Sequence, residues 1–275
     1  METKLIQNYF GFNVNIATKD GGMCRDIERK ALFEPHLIKF MERLLQPGDV
    51  CLDIGACLGI HTLFMSRLVG SKGQVYCFEP QKDIFSHLLI PNIVQNDLEN
   101  VTAYKKAISD KDQEMYTTGF LNTGNNTINI GTAFVWSDPN RGNTGKVSCV
   151  TLDSLEFEKL DFIKLDCQGT EKMVLEGGRN TFKTHKPIVV IEIEENCCEC
   201  IYNYKVKDLY DAIRSLDYYI FYLEHSYPAD HVCVHKDKLE EFRDRFKLYI
   251  FPHTENNLVS RNLENGVVEK VKMLV

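Results

Sequence analysis

The sequence predicts an α/β protein with a mostly parallel sheet, and three observations carry that expectation. After residue 35, short apolar runs alternate with segments of helical period, the rhythm of successive βα units. The run 188–193 is apolar save for Glu192, as a strand covered on both faces requires. The stretch 48–63, GDVCLDIGACLGIHTL, reads as an apolar strand, a glycine-bearing turn and the start of a helix.

The elements follow in chain order. The first 30 residues suggest a short hairpin, with Gly21-Gly22 as its turn. Residues 36–46 place apolar side chains at 37, 38, 40, 41, 44 and 45, a helical stripe halted by Pro47-Gly48. Strands are expected at 50–54, 74–78, 101–104, 162–165 and 188–193, with helices over 59–69, 83–95, from about 170, and over 207–216. The runs 218–223 and 231–234 lie close enough to form an antiparallel final pair. Between 104 and 162 the rhythm breaks, and 119–146 is rich in Gly, Asn and Thr, a loop and hairpin composition. A loop of that length in a compact domain is usually functional or disordered. The resulting division is an N-terminal extension over 1–35, a domain over 36–252 and a polar tail over 253–275.

Composition narrows the class. Against 39 acidic residues stand 32 basic ones, a net charge of −7, so no basic surplus advertises nucleic acid as partner. No apolar run approaches the ~18 residues of a membrane helix, and the N-terminus has no charged and apolar leader pattern, so the expected compartment is the cytoplasm. The ten cysteines are scattered, and the cluster Cys197, Cys198 and Cys200 lacks a fourth ligand at zinc spacing.

Chemistry concentrates at strand ends. Asp53 closes the first strand, Gly55 permits a sharp turn, and Ala56 and Gly59 permit close backbone approach to a ligand at a helix N-terminus. Glu79 follows the second strand, 20 residues beyond Gly59, where a carboxylate can accept both hydroxyls of a ribose. A nicotinamide enzyme would show GxGxxG, and Asp53 would repel a pyrophosphate. A zwitterionic aminoacyl cofactor tolerates Asp53, which makes S-adenosylmethionine the better fit.

In these residues the chain resembles the FkbM family of S-adenosylmethionine-dependent methyltransferases, which methylate hydroxyls of sugars and glycosylated natural products. The resemblance rests on Phe33-Glu34-Pro35, Gly48-Asp49-Val50, Asp53 to Ala56, Gly59 to Thr62, Phe78-Glu79-Pro80, Asn92, Asn96, Thr151 to Asp153, Asp161 to Asp166, Gly169 to Glu171 and Pro187 to Glu192. It implies a class I methyltransferase (Rossmann-like) fold: seven strands, mostly parallel with an antiparallel last strand, and an N-terminal hairpin extension. It also assigns His61, Thr62 and Pro80 to the cofactor site. Two departures matter. Cys57 stands where the family has Asn, and Gln168 where it has Glu, so a carboxylate has become an amide.

Methyl transfer to oxygen requires alignment and a base for the hydroxyl. Lys164 and Asp166 alternate onto one face at the end of the fourth strand, beside the expected switch point. Asp166 is the candidate base, a helix N-cap being its alternative role. Glu192 and Glu194 leave the fifth strand together, and with Asp166 would form the carboxylate set for an Mg²⁺ ion, against which Gln168 speaks. Gln168 and Glu194 are candidates for the acceptor side. Trp136 would stack on a pyranose ring or plug the long loop, and His225 and Tyr227 reach toward the acceptor or sit on the surface. The expected partner is a small-molecule or glycan acceptor. A non-sugar hydroxyl, or a non-catalytic scaffold that binds cofactor, is the alternative.

Overall fold

The structure, a computed structural model, describes residues 1–124, 126–141, 145–223, 230–246 and 269–271. The chain opens with an antiparallel hairpin, β1 (Thr3–Tyr9) and β2 (Phe12–Ala17). Its turn is Phe10-Gly11, both left-handed at φ 48° and 91°, so the expected turn at Gly21-Gly22 is corrected. A two-residue hairpin needs positive φ at both central positions, and Gly11 supplies the permissive one. Gly22 instead precedes the short helix α1 (Met23–Glu28). Helix α2 (Pro35–Leu44) begins on a proline and buries the expected stripe: Leu37, Ile38, Phe40, Met41 and Leu44.

The βα units then run through β3 (Val50–Ile54), α3 (Ile60–Val69) and β4 (Gln74–Phe78). Helix α4 (Lys82–Ile84) passes through a π-turn over Phe85–Leu89 into α5 (Ile90–Val94), which leads to β5 (Val101–Tyr104). Pro91 lacks an N–H, and its ring would strike the carbonyl one turn back, which gives the ladder reason to widen there. Asn92, wholly buried, accepts from the Asn15 amide at 2.6 Å and donates to the Leu58 carbonyl at 2.8 Å, tying the N-terminal hairpin to the turn after β3.

Where the sequence rhythm breaks, the chain builds β6 (Ala107–Ser109), β7 (Gln113–Thr117), the hairpin β8 (Leu121–Gly124) and β9 (Thr127–Asn129), then β10 (Val135–Trp136) and β11 (Gly145–Thr151). Four of these form a second sheet in the order β10-β7-β11-β6, and the β8-β9 hairpin forms a sheet of its own. The main sheet resumes with β12 (Phe162–Leu165), α6 (Glu171–Gly177), α7 (Arg179–His185) and β13 (Ile188–Glu192). It is completed by α8 (Val206–Arg214), β14 (Tyr218–Leu223), β15 (Asp230–His235), α9 (Leu239–Phe246) and β16 (Glu269–Val271).

The main sheet has the order β16-β14-β15-β13-β12-β3-β4-β5. From β13 to β5 all neighbours are parallel, and β15 runs antiparallel between β13 and β14. The seven expected strands are present, with β16, drawn from the polar tail, added beside β14. Strand order reverses at β3 and β12, the switch point at which open sheets bind ligands. The hairpin's Tyr9, Phe12, Val14 and Ile16 share one apolar core with Phe40 of α2 and Phe64 of α3. Among the described residues no helix is long and apolar enough to cross a membrane.

Candidate functional site

The site begins with a backbone approach that admits no side chain. Gly55 has φ +84°, and a Cβ there would fall 1.8 Å from the Asp166 carbonyl oxygen. Only glycine lets the turn after β3 pass that close to the end of β12. The Gly55 and Ala56 amides both donate to the Phe78 carbonyl at 3.0 Å, fastening the turn to β4. Cys57 is also left-handed, at φ 50°, and donates its amide to Glu79 Oε2 at 2.9 Å. Asn visits that conformation more readily than Cys, which accounts physically for the residue the family prefers here. The Gln81 amide donates to Glu79 Oε1 at 2.7 Å. Burial outweighs these two donors and pushes the Glu79 carboxyl up to about 7.

Above this turn lies a cavity of about 310 Å³. That is near the low end of the roughly 300–1,000 Å³ typical of ligand pockets. Glu79, Pro80 and Ile84 line it after β4, and Ala107 and Ile108 add apolar wall from the second sheet. Lys164, Asp166, Gln168 and Glu192 line it from the ends of β12 and β13. Met23, Phe33 and Glu34 reach it from the N-terminal region, and 129–133 from the long segment.

The polar wall is a tightly joined charge cluster. Lys164 Nζ lies 2.9 Å from Asp166 Oδ2 and donates weakly to the Gly55 carbonyl at 3.4 Å. Burial opposes its charge, but Asp166, Asp53 and Glu34 outweigh that and hold the ammonium well above the ordinary lysine range. Gln168 donates from one Nε2 to Asp166 Oδ1 at 3.0 Å and Glu192 Oε2 at 3.2 Å. Burial works against the charge of Asp166 as well, and Lys164 with the hydrogen bonds from Glu192, Lys164 and Gln168 holds it below the usual carboxylate range. Burial and the charge of Asp166 push Glu192 well above the usual carboxylate range, so the two carboxyls titrate as a pair. Glu34, left-handed at φ 43°, brings Oε2 to 3.2 Å from His61 Nε2. Its burial is outweighed by His61 and Lys164, which keep the carboxylate ionised.

Of the residues expected at the cofactor site, Gly55, Ala56, His61, Glu79 and Pro80 line the cavity, and Asp53, Gly59 and Thr62 do not. Asp53 is wholly buried behind the turn, accepting the Thr62 hydroxyl at 2.6 Å, with its other oxygen 3.9 Å from Lys164. Asp53, expected to touch the cofactor, thus lies beside Lys164 and not on the cavity wall. Gly59 is the left-handed N-cap of α3. Lys164, Asp166, Gln168 and Glu192 are brought together on the cavity wall. Asp166 is not the helix cap, since α6 starts at Glu171 after Thr170, and Glu171 Oε1 takes the Cys167 and Gly169 amides.

Trp136 does not line the cavity; it stacks on Tyr202 at 5.3 Å with the Arg141 guanidinium 4.7 Å over its ring, an arrangement that suits the plug among its two expected roles. Glu194 likewise does not line the cavity, and accepts from the Asn196 side chain at 3.3 Å. Among the described residues no group of three or more His, Cys, Asp or Glu is placed to hold a metal ion. The expected carboxylate set is engaged within the protein: Asp166 pairs with Lys164, and the Gln168 amide donates to both Asp166 and Glu192. His225 and Tyr227 lie outside the described residues. Sequence reasoning missed Glu34 as a site residue, although Phe33-Glu34-Pro35 carried part of the resemblance, and it missed Lys106 and Met23, which have no sequence signal.

Residues 53–220 match the family described as the methyltransferase FkbM domain. Solved structures that resemble the chain include the methyltransferase FkbM of Methylobacillus flagellatus KT, at 16% identity and TM-score 0.47, over 71% of this chain and 50% of that one. A putative rRNA-methylase from Clostridium thermocellum matches at 12% identity and TM-score 0.46, over 73% and 93% of the two chains. A SAM-dependent O-methyltransferase from Thermotoga maritima matches at 13% and 0.44, over 74% and 66%. The chain thus spans half the length of the Methylobacillus protein. No curated protein matches it significantly.

Proposed function

The chain belongs to the FkbM methyltransferase family, and from that premise we propose that it transfers a methyl group from S-adenosylmethionine to a hydroxyl of a sugar-containing acceptor, a glycan or a glycosylated small molecule. The observation that carries this reading is the placement, on one cavity at the switch point, of Glu79 beside the Gly55 turn and of the Lys164–Asp166–Gln168–Glu192 cluster.

The donor set fits the cofactor's chemistry. Each Glu79 oxygen accepts one backbone amide and retains a lone pair for a ribose hydroxyl. Phe78, Ile84 and Ile108 offer an apolar wall for a purine. Glu34, kept ionised by His61 and Lys164, takes the part expected of Asp53 and receives the ammonium of the aminoacyl group. S-adenosylmethionine, when bound, supplies an electrophilic methyl group on a sulfonium.

The chain's residues do the rest. Asp166 accepts the acceptor hydroxyl's proton as the oxygen is methylated, Lys164 keeps that carboxylate ionised and aimed, and Gln168 fixes its other oxygen. Glu192, held well above the usual carboxylate range, lies beside Asp166 on the same Gln168 amide. A wall of carboxyl and amide groups suits a polyol, whose several hydroxyls demand several directional partners.

Calorimetry with S-adenosylhomocysteine tests the cofactor half, with Glu34→Gln expected to weaken binding by roughly tenfold, the loss of one charge-assisted contact. Transfer of labelled methyl to a panel of free and glycosidic sugars tests the acceptor half. Failure to bind in a folded protein would overturn the whole reading, and binding without transfer to any hydroxyl would favour a scaffold.

A further inference from the structure

Hydrogen bonds clasp together two distant segments of the cavity wall. Asp20 is 5% exposed, and its carboxylate spends both oxygens on backbone amides. Oδ2 accepts from Gly22 at 3.2 Å and Cys24 at 2.8 Å, and Oδ1 accepts from Ile130 at 3.0 Å, 110 residues away. Backbone bonds flank it: the Gly21 amide donates to the Ile128 carbonyl and the Ile128 amide to the Lys19 carbonyl, each at 2.9 Å. Gly21 sits tightly there, since a Cβ would lie 3.2 Å from the Thr127 side chain.

Both joined segments are cavity wall: Met23 on one, Ile130, Gly131 and Thr132 on the other. The β8-β9 hairpin that carries the second segment pairs with neither larger sheet. An isolated two-stranded hairpin is marginal in water, so its position over the cavity depends on what grips its base. A buried carboxylate is costly unless fully hydrogen-bonded, and here all of its bonds go to the two strips of chain that meet over the cavity.

We propose that Asp20 is a positioning residue: its carboxylate locks the N-terminal region to 128–130, and this lock holds the wall over bound cofactor and sets its residence time. The residence-time half rests on the reading that the cavity takes S-adenosylmethionine; the wall-holding half does not. Asp20→Asn leaves one accepting oxygen for three amides, and Asp20→Ala leaves none.

Hydrogen–deuterium exchange of peptides over 127–133 and 20–24 is expected to rise on the order of tenfold in Asp20→Asn and further in Asp20→Ala, the range for loss of charge-assisted bonds. The peptide over β12 should be unchanged. Stopped-flow release of S-adenosylhomocysteine should accelerate in the same order, with the cofactor KM rising and kcat near wild type. Unaltered exchange over 127–133 in a folded Asp20→Asn protein would overturn the clasp, and faster exchange with unaltered release would overturn its hold on the ligand. If the alanine variant does not fold, Gly21→Ala, which presses on Thr127 without touching a charge, replaces it under the same expectations. If wild-type protein binds no S-adenosylhomocysteine, the functional reading fails, and the exchange experiment decides the clasp alone.

Discussion

Substituting Asp166 by Asn removes the carboxylate that pairs with Lys164 and that Lys164 and Gln168 hold below the usual range. Lys164 then loses its 2.9 Å partner and is left with Asp53 at 3.9 Å and the field of Glu34. Breaking a buried ion pair typically costs about 3–5 kcal/mol. The cost here should be smaller, because Glu192 holds its proton partly on account of the charge of Asp166. With that charge gone, Glu192 ionises more easily and compensates Lys164. Turnover has no such rescue if Asp166 takes the hydroxyl proton, and should fall by roughly 10² to 10⁴, with S-adenosylhomocysteine affinity little changed. The assay is labelled-methyl transfer across pH, with thermal unfolding in parallel. Asp166 sits below the usual carboxylate range, so wild-type kcat should be level from about pH 5 upward. A kcat that instead rises with pH above the usual carboxylate range would identify Glu192, whose carboxyl is held well above that range, as the base. An Asp166→Asn enzyme of undiminished turnover would refute the assignment outright.

Three further outcomes follow from the same geometry. Burial raises Glu171 from 4.5 to about 7, and its Oε2 is buried without a hydrogen-bond partner. The native state therefore binds the proton more tightly than the unfolded chain, so stability is fullest below about pH 4.5 and falls as pH rises to about 7, by roughly 3 kcal/mol at most. Glu171→Gln should recover much of that loss at pH 8 and little at pH 5, as read by denaturant titration; equal effects at both pH values would count against it. Glu79 at about 7 accepts ribose hydroxyls best when ionised, so cofactor affinity should strengthen between pH 6 and 8, and calorimetry showing the opposite trend would displace the ribose from Glu79. Gly55→Ala should abolish binding and lower stability by more than the ~1–2 kcal/mol of a left-handed residue, because the added carbon meets a backbone oxygen; circular dichroism melts check it.

The amino-acid sequence by itself determined the parallel core. The strands at 50–54, 74–78, 101–104, 162–165 and 218–223 stand at their expected bounds, because each is a short run rich in apolar, β-branched and aromatic residues within a repeating βα order. It also located the Gly55 turn, Glu79 and the Lys164–Asp166 pair, whose places follow from being at strand ends. The second sheet was illegible: β6 and β10 have three and two residues, too few for a period to show. Only the tertiary structure decided which way the polar groups face. Asp53 is turned away from the cavity that Glu34 lines, because a carboxylate at a strand end can point to the ligand or behind the turn, and Thr62 and Lys164 draw Asp53 behind it. Trp136 likewise turns to Tyr202 and Arg141, contacts made across more than 60 residues and across five, which no local pattern encodes. The Asp20 clasp has the same origin, because three backbone amides converge on one carboxylate only after the N-terminal region and the 128–130 segment have folded against each other.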